Sequence, residues 1–70
     1  MNRDSVQSSM IASFGYDPAN SILEVEFIKG AIWQYQDVPE YMYNEMKSCD
    51  SCGKYFNANI KGQYPDSQVG

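Results

Sequence analysis

Seventy residues are enough for one compact domain and too few for a multi-domain enzyme. Hydrophobic residues at 43% and aromatics at 14% suffice for a single small core, and a chain this short buries roughly 60% of the surface its unfolded form exposes. Five Lys and Arg against nine Asp and Glu give a formal charge of −4, opposite in sign to the basic face that grips a long nucleic acid, and the lack of histidine excludes a Ser-His or Cys-His catalytic pair.

In chain order, residues 1–7 carry Asn2, Arg3, Asp4 and Ser5 and read as a flexible lead-in. From Ser8 to Phe14, Met10, Ala12 and Phe14 alternate with Ile11 and Ser13, which predicts a first strand. Gly15 to Ser21, with Asp17-Pro18 and Asn20, predicts a turn. Ile22 to Ile28 places Leu23, Val25 and Phe27 on one face and Glu24 and Glu26 on the other, the pattern of an antiparallel strand with one solvated side. Lys29-Gly30 supplies a tight connection to a third strand, Ala31 to Gln36, with Ala31, Trp33 and Tyr35 sharing a face.

Pro39 suits the first turn of a helix running to Ser48, in which Met42, Met46 and Cys49 follow at i, i+4 and i+7 beside Tyr43. Asp50 or Ser51 then caps a second short helix whose Phe56 and Ile60 face the core, before Gly62 and Pro65 end it. Residues 65–70 read as a flexible tail, leaving 8–64 as one domain. The expected fold is α+β, a three-stranded antiparallel meander followed by one or two short C-terminal helices packed on one face.

The order of residues resembles the KTSC domain, a small module named after the C-terminal extension of some lysyl-tRNA synthetases and also found as free-standing proteins. The resemblance runs from Val6 to Tyr64. It is carried by Ser8-Ser9, Gly15-Tyr16-Asp17, Leu23 to Phe27 with Gly30, Trp33-Gln34-Tyr35, Val38-Pro39, Tyr43 and the block Ser51-Cys52-Gly53-Lys54-Tyr55-Phe56-Asn57 continuing through Asn59-Ile60-Lys61 to Tyr64. Trp33 stands where the family more often has tyrosine, and Ala58 where a basic residue is common. The resemblance implies the fold, and RNA binding as suggested for the family.

Cys49-Asp50-Ser51-Cys52 has the spacing of a redox pair or half a zinc site. Zinc needs four ligands and no further Cys or His exists, and the motif trails a helix instead of opening one, so no metal or other cofactor is expected. Trp33, Tyr35, Tyr16, Tyr43 and Tyr55 offer flat faces on which a base can stack, with core packing as the competing use of the same rings. Ser8, Ser9, Ser51, Asn57 and Asn59 are candidate polar contacts, or else caps and turn fasteners. Gly53 and the start of the second helix form a possible phosphate cradle, with Lys54 and Lys61 as the nearest charges.

A mono- or dinucleotide needs only two or three cationic contacts, which Arg3, Lys29, Lys54 and Lys61 can supply even at a net charge of −4. The expected function is therefore a non-catalytic module binding a nucleotide-sized anion or a short RNA. Small free-standing domains of this kind occur in phages, where such a protein can act as an anti-defence sponge that sequesters a nucleotide signal. The alternatives are RNA binding and a protein-interaction adaptor using the Met42, Tyr43, Met46 face. A homo-oligomer is expected because so small a domain buries little alone. No membrane span is expected, since no apolar stretch exceeds three residues. With neither a leader pattern nor a disulfide framework, the expected setting is a reducing cytoplasm, the host's for a viral protein.

Overall fold

The computed structural model describes the backbone at Asp4 and Ser5 and the chain from Met10 to Gly70. Ser8 and Ser9 lie outside the described residues, as does most of the lead-in. The strands are β1 (Asp4–Ser5), β2 (Ile11–Asp17), β3 (Ile22–Phe27), β4 (Ile32–Tyr35) and β5 (Asp66–Gln68), with helices α1 (Glu40–Ser48) and α2 (Cys52–Asn59) between β4 and β5. All strands join one antiparallel sheet in the order β1-β2-β3-β4-β5. The α+β class and the central meander are as the alternation of β3 and β4 requires. The segments set aside as lead-in and tail each carry a short strand, because the outer edges of β2 and β4 would otherwise leave backbone donors and acceptors unpaired.

The first hairpin departs from expectation in two ways. Ile11 faces Phe27 while Ser13 faces Glu26, so β2 holds one more residue than β3 over this step, a β-bulge at Ala12. The bulge reverses side-chain parity, and Ile11 joins Phe14 in the core, both fully buried. The strict alternation grouping Met10, Ala12 and Phe14 is thereby corrected. Gly15 to Asp17 also belong to the strand and not to the turn, paired with Glu24, Leu23 and Ile22. The connection shrinks to Pro18 to Ser21, fastened by Asp17, whose carboxylate accepts from Asn20 Nδ2 (2.8 Å) and the Ala19 N–H (3.1 Å). Those bonds, the Asn20 side chain first, hold the Asp17 carboxyl below its ordinary value.

The second hairpin is tighter. Phe27 N–H bonds Ala31 O (2.9 Å) and Gly30 N–H bonds Phe27 O (2.8 Å). Gly30 takes φ 101°, a left-handed conformation that any side chain would strain. Lys29 is thus carried at the tip.

On the solvated face, Ser13 Oγ donates to Glu26 Oε1 and Gln34 Nε2 to Glu24 Oε1, both at 3.0 Å. On the other face, Leu23 and Val25 are fully buried beneath the two helices, with Val38, Met46, Phe56 and Ile60. Phe56 anchors this layer. Its ring meets Tyr35 edge-on at 5.1 Å and Phe27 at 5.7 Å, geometry that adds to simple burial. Met42 and Tyr43 are half-buried against the same core, and Met46, on the face considered for a protein adaptor, is fully buried within it.

Pro39 is the N-cap of α1, with φ −64° and ψ 146°, one position before the expected first turn. Cys49 is exposed at the helix end and does not continue the Met42, Met46 stripe. Cys52 is buried as the first residue of α2, so the pair bridges two helices, and its second member does open one, contrary to the sequence reading. Ser51 occupies the N-cap of α2 without a side-chain capping bond, which corrects its assignment as a hydroxyl cap.

Candidate functional site

The end of the sheet where β3 turns into β4 carries the candidate site. There the core face of the sheet stays open as a cleft of about 390 Å³, lined by Met10, Phe27, Ile28, Lys29, Trp33, Tyr35, Lys61 and Asp66. The volume falls within the range of small-ligand sites. Register explains the floor. Val25 pairs with Trp33 and Leu23 with Tyr35, so both rings stand on the face that carries the core, and Phe27 continues it on β3.

The rim is charged. Lys29 comes from the β3–β4 hairpin and Lys61 from the turn after α2, where Gly62 at φ 79° ends the helical course. Asp66 enters from β5, opposite Tyr35. Ile28, 59% exposed, leaves an apolar side chain at the mouth.

Tyr35 is only 3% exposed and forms the inner wall. Burial, with the Asp66 carboxylate as a second cause, pushes its phenol up to about 12. The group therefore remains a neutral O–H donor. Because the unfolded chain releases this proton near the ordinary value of 10.0 and the folded chain holds it to about 12, the stability this phenol contributes should be complete below that interval and be lost as pH rises through it. Urea midpoints measured across the interval will show this fall, and Tyr35→Phe should make it shallower; an equally steep fall in the variant would refute the assignment.

The sequence candidates divide sharply. Trp33, Tyr35 and Lys61 meet in the cleft. Asn57 is at its border, with Nδ2 3.7 Å from Sδ of the cleft residue Met10. Tyr16 and Tyr43 stack on each other at 5.3 Å elsewhere in the fold. The Tyr16 hydroxyl donates to Val38 O, and Lys47 Nζ lies 5.1 Å from the centre of the Tyr43 ring. These rings are occupied by their own neighbours.

Tyr55 straps the helices together, its hydroxyl donating to Glu45 Oε1 at 2.6 Å; burial and this carboxylate push it up to about 12. Asn59 Nδ2 bonds Tyr55 O one turn back (3.1 Å). Gly53 is buried in the first turn of α2, which closes the backbone approach expected of it, and the exposed Ser51 and Lys54 share that end, away from the cleft lining. Met10, Phe27, Ile28 and Asp66 were not foreseen as site residues. The Leu23, Val25, Phe27 face, laid beside the Ala31, Trp33, Tyr35 face, was the signal pointing toward Phe27.

The comparisons agree with this architecture. Residues 7–64 match the family described as the KTSC domain. A protein of unassigned function from Stutzerimonas stutzeri is 44% identical over 64 residues, covering 91% of this chain and 90% of its own. A lysine–tRNA ligase from Nostoc is 35% identical over 63 residues, covering 90% of this chain but only 11% of the ligase. The crystal structure of a KTSC domain protein from Yersinia pestis superposes with a TM-score of 0.92 at 40% identity, covering 99% of this chain and 97% of that one. With its meander, its two helices and the matched segment in agreement, the chain belongs to the KTSC domain family.

Proposed function

We propose that this protein is a non-catalytic binding module that holds a nucleotide-sized anion in the cleft between β4, the β3–β4 hairpin and the end of α2. The observation that carries the reading is the pairing of an aromatic floor at Trp33 with two lysines, Lys29 and Lys61, from different elements of the rim. A base stacks on the indole, and a phosphate meets the ammonium groups, which act as point charges and not as a rigid fork. Among the described residues, the site's titratable side chains are these lysines, Tyr35 and Asp66. Tyr35 keeps its proton, and no histidine exists to move one. Holding a ligand without turning it over suits sequestration or sensing.

A thermal-shift screen tests this with mononucleotides, cyclic dinucleotides and a short structured RNA. A ligand at 100 times its dissociation constant adds about 2.7 kcal/mol, which raises the melting temperature of so small a domain by roughly 10 °C or more. A shift with a small nucleotide that survives moderate salt supports the reading, and silence across the nucleotides sinks it. The similar segment in lysine–tRNA ligases favours RNA as the second reading. A shift with RNA alone, fading steeply as salt rises, would select it.

A further inference from the structure

The polar groups lining the cleft are unequal in kind. Lys29 and Lys61 only donate hydrogen bonds, the Trp33 indole N–H only donates, and the neutral Tyr35 phenol is a donor. Among the described residues, Asp66 is the one lining side chain that, when ionised, only accepts. Its place is set by backbone pairing. β5 lies antiparallel to β4 with Asp66 opposite Tyr35 and Gln68 opposite Trp33, so position 66 shares the face of the aromatic floor. The bonds from Gln36 N–H to Pro65 O and from Val69 N–H to Ile32 O, both 2.8 Å, clamp the strand on either side of it.

In a cleft that took phosphate alone, this carboxylate would repel the ligand the lysines attract. It becomes useful when the ligand also brings donors.

Resting on the nucleotide reading above, we infer that Asp66 is the specificity residue of the cleft and selects an anionic ligand carrying two adjacent hydrogen-bond donors. The two carboxylate oxygens match such a pair side by side. Two parts of a nucleotide offer it: the N1–H and N2–H edge of guanine, and the cis-diol of ribose. Adenine presents a donor next to an acceptor, which meets the carboxylate unfavourably. Asp66 also lies beyond residues 7–64, so this selectivity comes from the strand that follows the segment matched to the family.

Calorimetric titration of the full chain and of Asp66→Asn with GMP, AMP and 2′-deoxy-GMP tests the inference. Wild type should prefer a paired-donor ligand by about ten- to a hundred-fold, and Asp66→Asn should erase that preference while still binding the disfavoured ligand. A preference for GMP over AMP that 2′-deoxy-GMP keeps identifies the base edge, whereas equal binding of GMP and AMP with weaker binding of 2′-deoxy-GMP identifies the diol, which both ribonucleotides carry. Nucleotide binding without preference in wild type, or a preference unchanged in the variant, overturns Asp66 as selector and leaves the nucleotide reading standing. No binding of any of the three by either protein overturns the inference, and the nucleotide reading falls with it when the cyclic dinucleotides of the thermal-shift screen are silent as well. The exposed side chain makes misfolding of the variant easy to exclude by its urea midpoint.

Discussion

Phe56→Ala should lower the stability of the fold by about 3–5 kcal/mol, the cost of deleting a fully buried aromatic ring whose space cannot collapse. A domain of this length has only roughly 4–10 kcal/mol in total, so the variant should be partly unfolded without denaturant. The size of the effect follows from position. Phe56 is 0% exposed and meets Phe27 and Tyr35 edge-on from the helix layer. Two sheet residues thus lose their partner at once, and those two also line the cleft. Urea unfolding followed by Trp33 fluorescence measures the loss. Phe56→Leu should recover a large part, because most of the buried apolar volume is kept. A loss below about 1 kcal/mol for the alanine variant would contradict the central packing of this ring.

The second large effect concerns the ligand. Trp33→Ala should weaken nucleotide binding about 5- to 150-fold, equivalent to the 1–3 kcal/mol that a stacked base gains from an aromatic face. The half-buried indole faces the cleft as well as the core, so a folded-state control is needed. Trp33→Phe should keep most of the affinity by restoring a flat face, whereas Tyr55→Phe should leave affinity unchanged, since that phenol fastens α2 to Glu45 of α1 away from the cleft lining. Equal loss in Trp33→Ala and Tyr55→Phe, as read by calorimetry, would refute the cleft as the binding site.

Much of the fold was legible because its elements follow local rules. β3 alternates without interruption, Lys29-Gly30 provides the left-handed residue its hairpin needs, and Pro39 marks the start of α1. The first strand was less so. A bulge leaves no trace in a hydrophobic pattern except a broken period, and Ile11 and Phe14, three apart, look like a helical pair or noise until β3 is laid beside them. The tail carries Asp66, Ser67 and Gln68, all exposed, so nothing hydrophobic announces a strand. Only the open edge of β4 makes one there.

The candidate site was legible in part for a similar reason. Trp33 and Tyr35 share a face by strand parity alone, and Lys61 was noted as a nearby charge. Aromatic content could not tell a stacking face from a packing ring. Tyr16, Tyr43 and Tyr55 resemble Trp33 in the sequence, yet they are absent from the cleft lining and each contacts a neighbour many positions away: Val38, Tyr16 and Glu45 respectively.

By itself, then, the order of residues determined the class of fold, the central meander, both helices and the lack of histidine chemistry, since periodicity, turn residues and composition act within a few positions of the chain. The tertiary structure alone decided which rings line the cleft, that Gly53 is buried, and that Lys29, Lys61 and Asp66 border one cleft. Those outcomes depend on how α2 packs on the sheet and on which strand pairs with β4. Such contacts join residues far apart in the chain, whose encounter no local spacing encodes.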